Sequence, residues 1–273
     1  MTRPQGGGGV APGKSPLRST ETPVTVLTTA EFHSSVLALA PRVAVFDCDG
    51  TLWSGDAGSS FMRWTIDRRI LSPAAIAALD IRYQGYLAGQ VSELDICGEM
   101  VQIYAGIPES EIRAAAAEFF AVRIASNIFP EMLTLVRELQ SRGTEIWAVS
   151  STCDWVIEEG VRRFNIPANR VLAAQVAIDD GIVTDRLIDV PTDEGKVAAL
   201  ARVGIAAPDC VFGNSVHDAA MLSIANGSRN ASGSPNGAFP VNPSPALLAR
   251  AAAESWPVFY PASVRPPQPP SCS

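Results

Sequence analysis

The feature that most constrains this chain is Asp47-Cys48-Asp49-Gly50-Thr51, which sets two carboxylates two residues apart directly after the apolar run Val43-Ala44-Val45-Phe46. A short apolar run bounded by a glycine turn reads as a buried strand. On extended backbone, residues i and i+2 project to the same side, so Asp47 and Asp49 face one pocket while Cys48 points away into packing. Gly50 permits a sharp exit from the strand. Two readings stay open at this point. One is an acidic turn, since Asp and Gly are common turn residues. The other is a catalytic pair, in which one carboxylate attacks and the second handles protons.

Three downstream segments give the pair a context. Glu145-Ile146-Trp147-Ala148-Val149 reads as a second buried strand ending at Ser150-Ser151-Thr152, where a hydroxyl and backbone N–H groups can hold a phosphate oxygen. Lys196 falls at the start of an apolar-periodic helix, Glu194-Gly195-Lys196-Val197-Ala198-Ala199-Leu200, and its ammonium can neutralise a phosphoryl group. Cys210-Val211-Phe212 then leads into Gly213-Asn214-Ser215-Val216-His217-Asp218, a strand, a turn and a helix start carrying oxygen ligands.

In this order, the four segments resemble the haloacid dehalogenase (HAD) superfamily of phosphohydrolases, most closely its phosphoserine-phosphatase-like branch with a helical cap. The match runs from about Arg42 to Pro245. It implies an α/β fold: a three-layer Rossmann-like core with a parallel sheet and an inserted all-helical cap. It also implies a magnesium-dependent phosphomonoesterase that hydrolyses a small phosphorylated metabolite through an aspartyl-phosphate on Asp47. Asp49 is then the general acid and base. Asp49, Gly50, Ser150, Ser151 and Lys196 bind the phosphate, and Ser150 and Lys196 complete the catalytic set. Asp47, Asp49, Asn214 and Asp218 form the metal set. Asn214 stands where the commoner pattern has Asp, so one ligand brings a carbonyl without a charge. Asp49 argues against dehalogenation, because a halide leaves without a proton. A phosphotransferase using the same intermediate is an alternative, as is a weakly catalytic interaction module.

The chain divides by composition and by resemblance into a disordered tail at 1–23, a core formed by 24–55 and 127–263, a cap at 56–126, and a second tail at 264–273. Helix-start signals fill the cap segment: Ser72-Pro73, Ser92 with Asp95, and Pro108-Glu109. An Asp180-Gly181 turn marks a hairpin between 175 and 184. Within the cap, Asp56, Phe61 and Met62 are candidate substrate contacts. Asp56 lies near the acid that grips the substrate amine in phosphoserine phosphatases, but it also reads as a helix cap. The cap arginine that holds the phosphoserine carboxylate in those enzymes is missing from Cys97-Gly98-Glu99-Met100. Phosphoserine is therefore expected to be a poor substrate, and a phosphorylated alcohol, sugar or amino alcohol a better one. Arg63, Arg68 and Arg82 are the cap cations able to substitute.

Charge and hydropathy narrow the partners. A net charge of −7 and a pI near 4.9 argue against nucleic acid. Apolar stretches are too short for a membrane span. Five scattered cysteines without metal or disulfide spacing fit a reducing cytoplasm. Oligomeric state is not legible.

Overall fold

The computed structural model describes residues 24–226 and 237–264. The segments read as tails thus lie outside the described residues, apart from Val264. In chain order the strands are β1 (Val26–Leu27), β2 (Val43–Phe46), β3 (Glu145–Cys153), β4 (Val171–Asp179), β5 (Ile182–Asp189), β6 (Cys210–Gly213), β7 (Ala238–Pro240) and β8 (Val258–Phe259). Six form one sheet in the spatial order β5-β4-β3-β2-β6-β7, and β1 pairs with β8 separately. Every pairing in the large sheet is parallel except the hairpin β4–β5. Its turn places Asp180 at φ 49° and Gly181 at φ 78°, the doubly positive backbone that an Asp-Gly pair supplies.

The helices are α1 (Thr29–Ala38), α2 (Ala57–Asp67), α3 (Pro73–Leu87), α4 (Glu93–Gln102), α5 (Glu109–Phe119), α6 (Pro130–Ser141), α7 (Asp154–Arg162), α8 (Glu194–Arg202), α9 (Ala219–Ser223) and α10 (Pro245–Glu254). Their starts follow the expected chemistry. Ser72 Oγ accepts from Ala75 N and Ser92 Oγ from Asp95 N, opening α3 and α4. Asp56 caps α2 through Ser59 N at 2.9 Å. After α5 the chain continues as a π turn over Phe120–Ile124 and a 3₁₀ turn over Ala125–Asn127, then re-enters the sheet layers at α6.

β2 is covered on both faces, which is why its residues are uniformly apolar. On one face Phe46 stacks on Phe212 with centroids 4.2 Å apart, in a cluster with Phe32, Met132 and Leu135. On the other, Val45, Val149 and Val211 pack with Leu200, Met221 and Leu247. From β2 the chain builds outward to β3 and β4 on one side, and later to β6 and β7 on the other. The tip of β2 therefore lies where the winding reverses, the crevice at which open α/β sheets bind ligands.

β3 is longer than the run 145–149 expected from hydropathy, extending to Cys153 past a register shift against β4. Ser150, Ser151 and Thr152 thus sit on extended backbone, which fixes the direction of their side chains. Among the described residues no helix is long and apolar enough to cross a membrane, and the four described cysteines are free.

Candidate active site

Asp47 directly follows β2, and its N–H donates to Phe212 O at 2.9 Å, extending the sheet pairing by one residue. The chain then turns on itself: Thr51 N and Leu52 N both donate to Cys48 O, and Gly50 N donates to Trp53 O. Gly50 is needed twice. Its φ is +74°, and a Cβ there would fall 1.8 Å from Asn214 Nδ2. Cys48 is wholly buried in the core, on the side away from the cavity.

Both oxygens of Asp47 are held. Oδ1 accepts from Lys196 Nζ at 2.8 Å and Oδ2 from Thr51 Oγ1 at 2.9 Å. Lys196, only 3% exposed in its side chain, also reaches Asp218 Oδ1 at 2.5 Å and Val149 O at 3.4 Å. Asp218 Oδ2 accepts the N–H groups of Asn214 and Ser215, each at 2.9 Å. That turn closes tightly because position 213 is glycine; a Cβ there would lie 2.5 Å from Asp218 Cβ. Burial disfavours charge on Lys196, yet Asp218 and Asp47 outweigh it and hold the ammonium pKa above its ordinary value. Burial, and then the Asp218 charge, push the Asp47 carboxyl upward against the pull of Lys196 and Thr51.

Asp49 is anchored separately. Its Oδ1 accepts from Trp53 Nε1 at 2.6 Å and from Ala57 N at the start of α2 at 3.0 Å, and Oδ2 accepts from Thr152 Oγ1 at 2.8 Å. Burial, followed by the neighbouring Asp56 charge, pushes its pKa up to about 7, although these three donors pull the other way. Such a carboxyl carries a proton near neutrality and can give it up.

The two carboxylates open onto a cavity of about 440 Å³. From the sequence-predicted set, the structure brings Asp47, Asp49, Gly50, Ser150, Ser151, Lys196, Asn214, Asp56 and Phe61 to its wall. Ser150 Oγ accepts from Thr152 N at 3.1 Å, so the hydroxyl is fixed within its own strand end. Met62 does not reach this wall. It packs with Leu79 and Ile96 and lines a separate groove with Leu71 and Ile76. Consecutive residues of α2 point about 100° apart, and with Phe61 turned to this cavity Met62 faces the groove instead. Asp218 is buried behind Lys196 and is not among the lining residues. None of the three candidate arginines lines the cavity either. Arg68 pairs with Glu118 and lies over the Trp64 ring, Arg82 pairs with Glu99, and Arg63 borders the groove beside Met62.

Sequence reasoning did not assign Thr51, Trp53 and Thr152 as the hydrogen-bond partners of the two carboxylates. The structure also bonds His217 Nδ1 to Asp193 Oδ1 at 2.8 Å at the cavity edge. Asp193 holds φ 49° and ψ −127°, a costly backbone for a residue with a side chain.

Among the described residues no group of three or more His, Cys, Asp or Glu side chains is arranged to hold a metal. At the β2 tip the cavity wall instead carries Asp47, Asp49 and Asn214, the Asn214 amide packed against Gly50. An all-oxygen set with few protein ligands fits a hard cation that keeps much of its water.

The fold is an α/β, Rossmann-like one with a candidate site at the tip of a central parallel strand. Residues 44–223 match the haloacid dehalogenase-like hydrolase family, and the chain belongs to it. A histidinol-phosphatase from Neisseria meningitidis serogroup C (strain 8013) is 26% identical over 162 residues, spanning 58% of this chain and 72% of that protein. The structure of a protein of unknown function from Bordetella pertussis Tohama I superposes with a TM-score of 0.65 at 23% identity, covering 80% of this chain and 98% of the other. A substrate-bound phosphoserine phosphatase shares the fold at a TM-score of 0.52 and 13% identity, covering 81% and 92%. The fold is thus that of the phosphoserine-phosphatase-like branch, as the sequence resemblance implies.

Proposed function

We propose that this HAD-family protein is a phosphomonoesterase that hydrolyses a small phosphorylated metabolite through an aspartyl-phosphate on Asp47, with magnesium as its metal. The single observation that carries this reading is the Asp47–Lys196–Asp218 chain at 2.8 and 2.5 Å beneath the cavity. It fixes a carboxylate at a strand tip and surrounds it with compensating charge. Lys196 offsets repulsion between that carboxylate and an incoming phosphate, which is the main contribution expected of such a site.

In the first step a carboxylate oxygen of Asp47 bonds to phosphorus as the ester P–O bond breaks. Asp49 donates its proton to the departing alkoxide oxygen. In the second step Asp49, now ionised, takes a proton from water as that water attacks phosphorus, releasing phosphate and restoring Asp47. Ser150, Ser151 and the backbone at Gly50 hold the phosphate oxygens. Asp47, the Asp49 carbonyl and Asn214 would hold magnesium, which supplies positive charge to the phosphoryl oxygens when bound. Asp218, buried and absent from the cavity wall, positions Lys196 and the Asn214 turn. The helices α2 to α5 form the cap over the cavity, excluding water and selecting the alcohol.

Hydrolysis of a generic aryl phosphate with magnesium tests the reading, followed by a release screen over a metabolite panel. Histidinol phosphate belongs in that panel because one relative is named for it. Turnover that is abolished in Asp47→Asn supports the reading. No turnover of any monoester contradicts it.

A further inference from the structure

Residues of 56–126 supply much of the cavity lining, and they differ in character from the residues at the β2 and β3 tips. Glu93, the first residue of α4, lines the cavity, with its side chain 17% exposed. One carboxylate oxygen, Oε1, takes only a weak contact from Cys97 Sγ at 3.6 Å. The other, Oε2, is buried and makes no geometrically sound hydrogen bond, although the Tyr86 hydroxyl lies against the same carboxylate. His217 Nε2 stands 3.9 Å away, beyond hydrogen-bond reach, and its ring is already bonded to Asp193. A buried carboxylate oxygen without a donor is costly, and such groups in native proteins have a reason to persist.

The surroundings indicate what completes it. Tyr83 and Tyr86 stand together on the same wall, with ring centroids 6.1 Å apart, and Asp56 adds a second carboxylate. Met100 occupies the wall within the cap stretch that lacks an arginine. Among the described lining residues the only basic side chains are Lys196, bound to two carboxylates, and His217. A carboxylate on the substrate would meet acid without a counter-ion. An ammonium would meet a carboxylate that lacks a close cationic partner beside aromatic rings, the surroundings that favour a cation.

Resting on the phosphomonoesterase reading above, we propose that Glu93 is the specificity-determining residue of this site, and that the preferred substrate is a phosphate ester of an alcohol carrying a protonated nitrogen and no carboxylate. The Glu93 carboxylate accepts from the substrate N–H, with Tyr83 and Tyr86 alongside.

The test compares kcat/KM for phosphoethanolamine and 3-aminopropyl phosphate with their uncharged isosteres, propyl and butyl phosphate, and with phosphoserine. In the wild-type protein at least one ammonium ester is expected to exceed its isostere by about tenfold to a hundredfold, the range of one charge-assisted hydrogen bond, and to exceed phosphoserine similarly. Glu93→Gln should collapse the ammonium-to-isostere ratio mainly through KM, and Glu93→Asp should keep part of it. Because each ratio is taken within one preparation, a loss of folded protein cancels. Wild-type ratios near one, or a ratio unchanged in Glu93→Gln, overturn the assignment of Glu93. If aryl phosphate is hydrolysed with dependence on Asp47 while those ratios are flat, this inference alone fails. If no ester is hydrolysed, the phosphatase reading fails with it.

Discussion

The indole N–H of Trp53 donates to Asp49 Oδ1 at 2.6 Å, and the edge of the same indole packs on Gly160 of α7. A core helix is thereby coupled to the proposed proton donor. A Cβ at Gly160 would lie 2.6 Å from Trp53 Cη2 and 2.7 Å from Phe120 Cε2, and neither ring has room to retreat. Gly160→Ala is expected to cost about 1–3 kcal/mol of stability by overpacking, read by chemical denaturation. Displacement of Trp53 should also lower kcat on alkyl phosphates more than on aryl phosphates, whose leaving groups need less protonation.

Asp49 gives a pH signature. With its pKa pushed up to about 7, the carboxyl is protonated below neutrality and ionised above it. Turnover of alkyl phosphates should therefore fall as pH rises past about 7, and Asp49→Asn should remove that limb along with most of the activity. Stability runs the same way. An unfolded Asp titrates near pH 4, so between about pH 4 and 7 the folded state binds the extra proton, and the cost of ionising the buried group is complete only above that window. In metal-free protein, Asp49→Asn should gain stability relative to wild type on going from pH 5 to pH 8. Equal differences at both pH values would contradict the raised pKa.

Lys196 neutralises two carboxylates that are themselves buried, so its removal leaves like charges facing each other. Lys196→Met should lower kcat by about a hundredfold or more and destabilise the fold by roughly 3–5 kcal/mol. Denaturant midpoints and steady-state rates check both. A variant of unchanged stability would mean that Asp47 and Asp218 share a proton without the lysine.

Much of this site was legible because its chemistry is local in sequence. The run Val43–Phe46 has to be a buried strand, and the spacing of Asp47 and Asp49 follows from it. The caps Ser72 and Ser92 announced α3 and α4 in the same way. What escaped depends on phase or on distant partners. Phe61 and Met62 are both apolar neighbours on α2, and hydropathy does not say which one faces the cavity. Thr152 reaches Asp49 across 103 residues of chain, a contact no short pattern contains. The contact of Asp218 with Lys196 joins positions 22 residues apart, and it follows from the Gly213 turn and the parallel strands that bring them together.

Asn214 offers a neutral carbonyl where a charged ligand would bind a hard cation more tightly. Asn214→Asp should lower the magnesium concentration that gives half-maximal activity, and magnesium titration by calorimetry should show the same direction in the absence of substrate. An unchanged or higher requirement in both measurements would remove Asn214 from the metal's ligands.

The central claim is a phosphoryl group covalently held by Asp47. Acid quench of the protein during turnover of a radiolabelled phosphate ester, followed by borohydride reduction and peptide mapping, tests it directly. The account predicts label in the quenched protein and, after reduction, homoserine at position 47, with neither in Asp47→Asn. Steady turnover without any label, or label recovered on another residue, would contradict it.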